Sequence, residues 1–244
     1  MNIYIYEETT STNDLAKQPE FRHSDAIWAH HQSAGRGQRG NTWSGGVGVN
    51  IAFTVVLEPQ GVVASDQFLI SQIAALALHE AMEEYGIGSK IKWTNDIYVD
   101  DRKMAGILIE NSLRDGMLTR SVVGIGLNIN QLEFDPSLPN PTSMTRVTGK
   151  TFDREEVLRN IHRYLMLWFD KIASGDVESI RKRYSQLLYR KDELHTYRLA
   201  SGELFDATIE SVAPQGELML RDTNKRTKGY LFREVEFVIA GRDK

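Results

Sequence analysis

Alternating apolar and polar residues are the clearest structural signal along this chain. Val49, Ile51, Phe53, Val55 and Leu57 form an apolar series that alternates with Asn50, Ala52 and Thr54. This period of two is typical of a strand that is buried on one face. The other predicted strands cover residues 2–6, 25–32, 90–99, 103–113 and 117–130.

Helices are predicted where apolar residues recur at spacings of three and four. Residues 65–85 are rich in alanine and leucine and end at Gly86, which is typical of a buried helix that stops at a glycine. Asp153 and Glu156 form a capping box before an apolar face that runs to Ile172. The remaining predicted elements are a short helix from Ser11 or Thr12 to about Gln18, a proline-rich loop over 131–150 and a helix over 176–188.

The pattern changes near residue 190. The segments HTYRLA, ELFDATIESV, GELMLRD and KGYLFREVEFVIA are short strands separated by turn residues. Such runs predict a small β-barrel. We therefore predict an α+β protein with two domains: a mixed or antiparallel sheet with helices over residues 1–189, and a C-terminal barrel over residues 190–244.

Composition narrows the possible functions. The 244-residue chain has a formal net charge of -4, so no overall positive field favours nucleic acid. It has no cysteine, which excludes disulfides, thiolate catalysis and cysteine-bound metals. No signal peptide is evident, and no run approaches the roughly 20 apolar residues of a membrane helix. We therefore expect a cytoplasmic protein that binds neither DNA nor membranes.

A glycine-rich loop from Gly35 to Gly48 follows the second predicted strand. It matches neither the phosphate loop of nucleotide hydrolases nor the dinucleotide fingerprint. Its glycines can turn several backbone N–H groups toward one point, while Arg36 and Arg39 can pair with phosphate. Trp43 can close over a flat group. The alternative is a solvated surface loop with incidental arginines.

Polar residues interrupt the strand-like segment KWTNDIYVDDRKMAGILIE. With a two-residue turn at either Asp100-Asp101 or Asp101-Arg102, Lys103 shares a face with Asp96. A paired lysine and aspartate suit phosphoryl or acyl-adenylate chemistry, although an exposed ion pair is the alternative. Gly106 favours a site, because glycine within a strand often marks the close approach of another group.

The segment VVGIGLNIN divides by parity into two different faces. One face is apolar, whereas the other carries Gly124, Gly126, Asn128 and Asn130. Small and amide-bearing residues on one face are typical of the floor of a ligand cavity, and a bend that needs glycine is the alternative. Ser11-Thr12-Asn13 alone indicates a helix cap. The histidines show no metal-ligand spacing, so no protein-bound metal is predicted.

Taken together, these segments resemble the biotin protein ligases. The matching pieces are STN at 11–13, QSAGRGQRGNTW at 32–43, KWTND at 92–96, RKMAGILIE at 102–110 and GIGLNIN at 124–130. The resemblance implies the class II synthetase-like fold of biotin and lipoate ligases, with an SH3-like C-terminal barrel. It also implies a two-step reaction, in which biotin and MgATP give biotinyl-5'-AMP and a lysine of a biotin carboxyl carrier domain then accepts the biotin.

The resemblance also implies roles for individual residues. The implied biotin-binding residues are Ser11, Thr12, Asn13, Gln32, Gly35, Arg36, Lys103, Gly106 and Gly124. The implied ATP-binding residues are Arg39, Trp43, Asn95, Lys103 and Asn128. The implied catalytic residues are Lys103, Asp96, Arg36 and Arg39. Mg²⁺ is expected on the phosphates of ATP.

The chain departs from the family pattern at two places. Gln38 and Asn41 stand where arginines are common, which implies fewer cations near the phosphates. The chain begins almost at the STN segment, so no DNA-reading domain is expected and no repressor activity is predicted. The sheet edge near 117–130 is a candidate for pairing with a second copy, which would give a homodimer, or with the carrier. The alternatives are a lipoate ligase and a non-catalytic sensor of biotinyl-adenylate.

Overall fold

A seven-stranded sheet organises the first three quarters of the chain. The structure, a computed structural model, describes residues 1–43, 45–46 and 48–239. The strands are β1 (Ile3–Thr9), β2 (Ala26–Gln32), β3 (Ile51–Leu57), β4 (Lys90–Lys92), β5 (Asp96–Val99), β6 (Arg102–Arg114) and β7 (Met117–Leu127). Their order is β1-β2-β3-β7-β6-β5-β4. Only β1 and β2 pair in parallel among these described strands.

Helices cover the sheet and complete its core. They are α1 (Thr12–Leu15), α2 (Phe68–Glu84), α3 (Met144–Thr148), α4 (Arg154–Ala173) and α5 (Val177–Gln186). Most side chains of α2 are buried among apolar residues of the sheet and of α4. Asp153 caps α4 by accepting a hydrogen bond from the Glu156 N–H at 2.9 Å, as the capping pattern predicted.

A second, antiparallel sheet follows and packs against the first part of the chain. Its strands, in the order β11-β10-β9-β8-β12, are β8 (Leu194–Leu199), β9 (Leu204–Val212), β10 (Leu218–Asp222), β11 (Thr227–Tyr230) and β12 (Val235–Phe237). The Trp93 indole N–H donates to the Gly216 carbonyl at 2.8 Å. The predicted α+β class is therefore confirmed, whereas the domain boundary at residue 189 stays a prediction.

Three local predictions were wrong. The strand over 90–99 is interrupted, because residues 93–95 leave the ladder and the Trp93–Thr94 peptide bond is cis. The predicted loop over 131–150 contains α3, which Ser143 caps by accepting from the Arg146 N–H.

The third correction concerns the predicted sheet edge near 117–130. β7 pairs with β3 on one side and β6 on the other. Its backbone groups are therefore occupied within the sheet, and this segment offers no edge to a second chain. β1 and β4 are the outer strands of the order instead.

Candidate active site

A cavity of about 130 Å³ lies over the middle of the large sheet. Its floor comes from β3, β6 and β7, and its sides come from α1 and the glycine-rich loop. The strands bring close together residues that lie far apart in the sequence, because β7 sits between β3 and β6. The cavity therefore joins all five motifs that the sequence singled out.

Glycines in the floor let other groups approach the sheet closely. A Cβ on Gly124 would lie 2.2 Å from Asn13 Oδ1, and one on Gly126 would lie 2.3 Å from Trp43 Cε2. A Cβ on Gly106 would lie 3.3 Å from both Lys103 Nζ and Trp43 Cζ3. Gly124 and Gly126 thus make room for Asn13 and Trp43, as expected for the floor of a cavity.

Hydrogen-bonded side chains build the closed end of the cavity. Gln32 Oε1 accepts from the Thr12 N–H at 2.7 Å. Thr54 Oγ1 lies 2.8 Å from Thr12 Oγ1 and 2.7 Å from Asn13 Oδ1. Ser11, Thr12 and Asn13 are all buried, so the STN segment is part of a ligand-sized cavity as well as the start of α1.

A cluster of charges lies behind this closed end. Glu110 accepts from Asn13 Nδ2 at 2.9 Å and from Lys17 Nζ at 2.8 Å. Arg36 lies 2.6 Å from Asp14 and 3.2 Å from Glu110. Burial opposes ionisation of Glu110, but the hydrogen bonds from Lys17 and Asn13 outweigh it and lower the pKa of this carboxyl group. Glu110 is therefore ionised at neutral pH.

The glycine-rich loop forms a small hairpin over the cavity. The Trp43 N–H donates to the Gly35 carbonyl at 3.0 Å, and the Gly37 N–H donates to the Asn41 carbonyl at 2.7 Å. A Cβ on Gly35 would lie 2.4 Å from the Trp43 carbonyl oxygen, so the close crossing requires glycine. The side chain of Arg39 lies outside the described part of the structure, and its role stays a prediction.

Lys103 and Asp96 form an ion pair at the open end of the cavity. Lys103 Nζ lies 2.6 Å from Asp96 Oδ1. Lys103 pairs with Tyr98 across the hairpin, so the turn residues are Asp100 and Asp101. The side chains are 35% and 16% exposed, which leaves the lysine accessible to a ligand.

A larger groove of about 930 Å³ continues from the open end. Trp43, Asp96 and Lys103 line both spaces, as does Phe232 between β11 and β12. Phe237 of β12 lines the groove. Lys103 Nζ lies 5.9 Å from the centre of the Trp43 ring. A ligand can therefore extend from the cavity past the ion pair to the second sheet.

Asn95 and Asn128 hold the backbone that forms the walls of the cavity and the groove. Asn95 Nδ2 donates to the Ile107 carbonyl at 2.5 Å, which holds the 93–95 segment against β6. Asn128 lines the larger groove and donates to the Thr142 carbonyl at 3.0 Å. The amide groups of both residues thus hold backbone in place, and their predicted contacts with a nucleotide stay predictions.

The structure gathers most of the predicted site residues around one cavity. Those that line it are Ser11, Thr12, Asn13, Gln32, Arg36, Trp43, Asn95, Asp96, Lys103, Gly106 and Gly124. Gly35 is buried at the base of the loop. Sequence reasoning missed Thr54 and Glu110, although Thr54 is a polar residue in an apolar strand and Glu110 ends the RKMAGILIE motif.

The described residues show neither a metal-ligand cluster nor a membrane-spanning helix. Within residues 1–43, 45–46 and 48–239, no group of three or more His, Asp or Glu side chains is placed to hold a metal ion. In the same part of the chain, every helix is too short or too polar to span a bilayer.

Comparison with known proteins identifies the family. Residues 4–128 match the model of the biotin/lipoate A/B protein ligase family. The chain is 32% identical to the biotin--[acetyl-CoA-carboxylase] ligase of Paracoccus denitrificans, over 88% of this chain and 91% of that protein. It is also 32% identical to the bifunctional ligase/repressor BirA of Salmonella typhimurium, over 90% of this chain and 69% of that protein.

A solved structure supports the fold. The biotin protein ligase from Aquifex aeolicus in complex with biotin and ATP superposes with a TM-score of 0.82 at 23% identity, over 97% of this chain and 99% of that one. The resemblance to biotin protein ligases that the motifs indicated is confirmed by these comparisons. The chain belongs to the biotin/lipoate A/B protein ligase family.

Proposed function

We propose that this chain is an ATP-dependent ligase that activates biotin and transfers it to a lysine of a biotin carboxyl carrier domain. The observation that carries the proposal is the cavity itself. Its closed end offers hydrogen-bonding oxygens from Thr12 and Gln32, and its open end holds the Lys103–Asp96 ion pair. Biotin has the matching polarity, with a urea ring at one end and a carboxylate at the other.

The first step joins biotin to the nucleotide. A biotin carboxylate oxygen attacks the α-phosphorus of ATP, and the bond to pyrophosphate breaks, which gives biotinyl-5'-AMP. In this proposal Lys103 neutralises the carboxylate and the α-phosphate, two groups that would otherwise repel each other; its position at the open end of the cavity supports this role. Arg39 of the glycine-rich loop contacts the phosphates in this proposal, and Trp43 covers the adenylate. The Arg36 guanidinium pairs with Asp14 and Glu110 behind the biotin end, so its part in catalysis is to hold the base of the loop.

The remaining site residues hold the two ligands. Ser11, Thr12, Asn13 and Gln32 bind the biotin ring system, and Gly35 forms the base of the loop above it. Gly106 and Gly124 let the ring system lie against backbone. Asn95 and Asn128 support the nucleotide side. Mg²⁺ is proposed to arrive on the phosphates of ATP and to neutralise part of their charge.

The second step transfers biotin to the carrier. The ε-amine of the carrier lysine attacks the acyl carbon of the mixed anhydride, and AMP leaves with the electron pair of the broken bond. Asp96 is half-buried beside the position of that anhydride, where it can orient the incoming amine or accept its proton. The carrier lysine reaches this carbon through the larger groove, which meets the cavity at Asp96 and Lys103.

The decisive experiment follows each half-reaction separately. The purified protein is incubated with labelled pyrophosphate, ATP and either biotin or lipoate, and exchange of label into ATP is measured. We expect exchange with biotin and not with lipoate. Mass spectrometry of a carrier domain incubated with the protein, biotin and ATP should then show one added biotin. Exchange with lipoate alone, or biotin binding without exchange, would reject this function.

The oligomeric state of the protein can be measured directly. A homodimer is proposed on the outer strand β1, where Tyr4 and Ile5 are exposed, and analytical ultracentrifugation with and without biotin and ATP tests it. A cytoplasmic location and the absence of DNA binding are expected from the composition, and a filter-binding assay with duplex DNA checks the latter.

A further inference from the structure

Six side chains are linked by polar contacts beneath the cavity, and the backbone from Gln32 to Arg36 closes them into a ring. The ring runs from Gln32 through Thr12, Thr54, Asn13 and Glu110 to Arg36. Gln32 and Arg36 lie four residues apart in the chain. The ring therefore begins and ends in the segment that leads into the glycine-rich loop.

The carboxylate of Glu110 fixes the direction of the hydrogen bonds in this ring. A carboxylate only accepts, so Asn13 must donate its Nδ2 to Glu110 Oε2 at 2.9 Å and turn its Oδ1 toward Thr54. An amide oxygen also only accepts. Thr54 Oγ1 lies 2.7 Å from Asn13 Oδ1, so the single hydroxyl proton of Thr54 is committed to Asn13.

The hydroxyl group of Thr12, in the wall of the cavity, is fixed in the same way. Because Thr54 has no second proton, its 2.8 Å contact with Thr12 Oγ1 requires Thr12 to donate to Thr54. The Thr12 N–H donates to Gln32 Oε1 at 2.7 Å, which fixes the orientation of that amide. Thr12 Oγ1 also lies within hydrogen-bond distance of Gln32 Oε1, but that contact is longer, at 3.1 Å, and the single hydroxyl proton goes to the nearer Thr54.

Two neighbouring oxygens without a shared proton attract an N–H donor. We infer that Glu110 is a positioning residue for ligand recognition, because it sets the ring so that Thr12 Oγ1 and Gln32 Oε1 both present lone pairs to the N–H groups of a cyclic urea. This inference rests on the proposed function, since biotin supplies that urea. It assigns control of recognition to a carboxylate that stands behind Asn13.

Replacing this carboxylate should allow the hydrogen bonds of the ring to reverse their direction. In the variant Glu110→Gln, the new amide can donate to Asn13, so Asn13 can turn over and present Nδ2 to Thr54. Thr54 would then donate to Thr12, and the Thr12 proton would go to Gln32 Oε1. The acceptor pair is lost in that arrangement, and the turned Asn13 also gives up its 3.4 Å hydrogen bond to the Leu108 carbonyl.

Isothermal titration of the full chain with biotin tests this inference. Glu110→Gln should bind biotin about tenfold more weakly than the wild type, which is the cost of about one hydrogen bond. The KM for biotin should rise by a similar factor, while the KM for ATP stays unchanged. The matched control is Asp14→Asn, because Asp14 contacts the same cations, Arg36 and Lys17, but stands outside the ring. We expect a change of about twofold or less.

A second pair of variants tests the ring without touching any charge. Thr54→Val removes the acceptor of the Thr12 proton, so Thr12 donates to Gln32 and biotin binding weakens as in Glu110→Gln. Thr54→Ser keeps the hydroxyl group and should retain the affinity of the wild type. Thermal unfolding curves establish that each variant is folded.

The possible outcomes separate the inference from the proposed function. Wild-type affinity in a folded Glu110→Gln variant would overturn the inference, as would equal losses in Asp14→Asn or in both Thr54 variants. In each of those results the wild type still binds and activates biotin, so the proposed function stands. A wild type that does not bind biotin would reject both.

Discussion

The closed and open ends of the cavity are built on different principles. At the closed end, Thr12 and Asn13 are each 3% exposed, and the polar groups bond to one another. At the open end, the Lys103 side chain is 35% exposed and faces a groove about seven times larger than the cavity. A preorganised end binds one ligand without an ordering cost, whereas an accessible end can receive a nucleotide and then an amine. In the proposed function, recognition and chemistry are therefore separated along β6, which carries Glu110 and Lys103.

Lys103→Ala should give the largest effect and confine it to the open end. Loss of this cation should lower the rate of biotin-dependent pyrophosphate exchange by about a thousandfold, because the charge that develops during adenylation is no longer neutralised. Biotin affinity should fall by at most about tenfold. Pyrophosphate exchange and biotin titration measure the two quantities. Equal losses in both would show that the two ends are not separate.

Asp96→Asn should slow the transfer step by about a hundredfold, because the carboxylate that orients or deprotonates the acceptor amine is lost. Adenylation should be less affected. Single-turnover transfer from preformed biotinyl-5'-AMP to a carrier domain measures this step. Asp100→Asn is the control, since Asp100 has a positive φ of 50° in the hairpin turn, a conformation that asparagine tolerates. A transfer rate that is unchanged in Asp96→Asn would remove Asp96 from the mechanism.

Gly124→Ala should damage the closed end instead. The added Cβ would lie 2.2 Å from Asn13 Oδ1, and the strand backbone has little room to move, so Asn13 must shift. We expect biotin to bind roughly ten- to a hundredfold more weakly, as measured by titration. Gly88→Ala is the matched control, because a Cβ there meets nothing within 4 Å. Normal affinity in Gly124→Ala would show that the closed end is not preorganised.

The smallest expected effect is on thermal stability in acid, where Glu110 loses its charge. Its pKa is lowered from the ordinary value of 4.5 in the folded protein, so its contribution to stability is present above that value. This contribution is lost as the pH falls through the folded pKa. The difference in melting temperature between the wild type and Glu110→Gln should therefore shrink on acidification below about pH 4.5. Differential scanning calorimetry measures it, and a constant difference would contradict the argument.

The ion pair at the open end could be predicted from the sequence. Side chains on a strand alternate with a period of two, so a short hairpin turn placed Lys103 and Asp96 on one face. The sequence did not choose between the two possible turns, nor did it show the irregular register between Ile97 and Tyr98. Asp101 in the turn accepts hydrogen bonds from Tyr189 and Asn140, and local patterns do not reveal such contacts with distant segments.

The closed end was only partly predictable. Family motifs named Thr12, Asn13 and Gln32, but Thr54 has the pattern of an ordinary strand residue. Its role arises only when β3 lies beside α1, a contact across 41 residues of chain. Strand order is equally non-local, and this explains why the segment 117–130 was wrongly predicted as an edge. Periodicity indicates which face of a strand is buried, but it does not indicate which strands are neighbours.

The hydrogen bond from Trp93 to Gly216 has a practical consequence for engineering. The turn at Gly216 also rests on Phe68, since a Cβ there would lie 2.7 Å from that ring. Truncation of the protein after residue 189 would therefore expose the Phe68 ring and leave the Trp93 indole N–H without its acceptor. A shortened version of this enzyme should therefore keep the C-terminal strands.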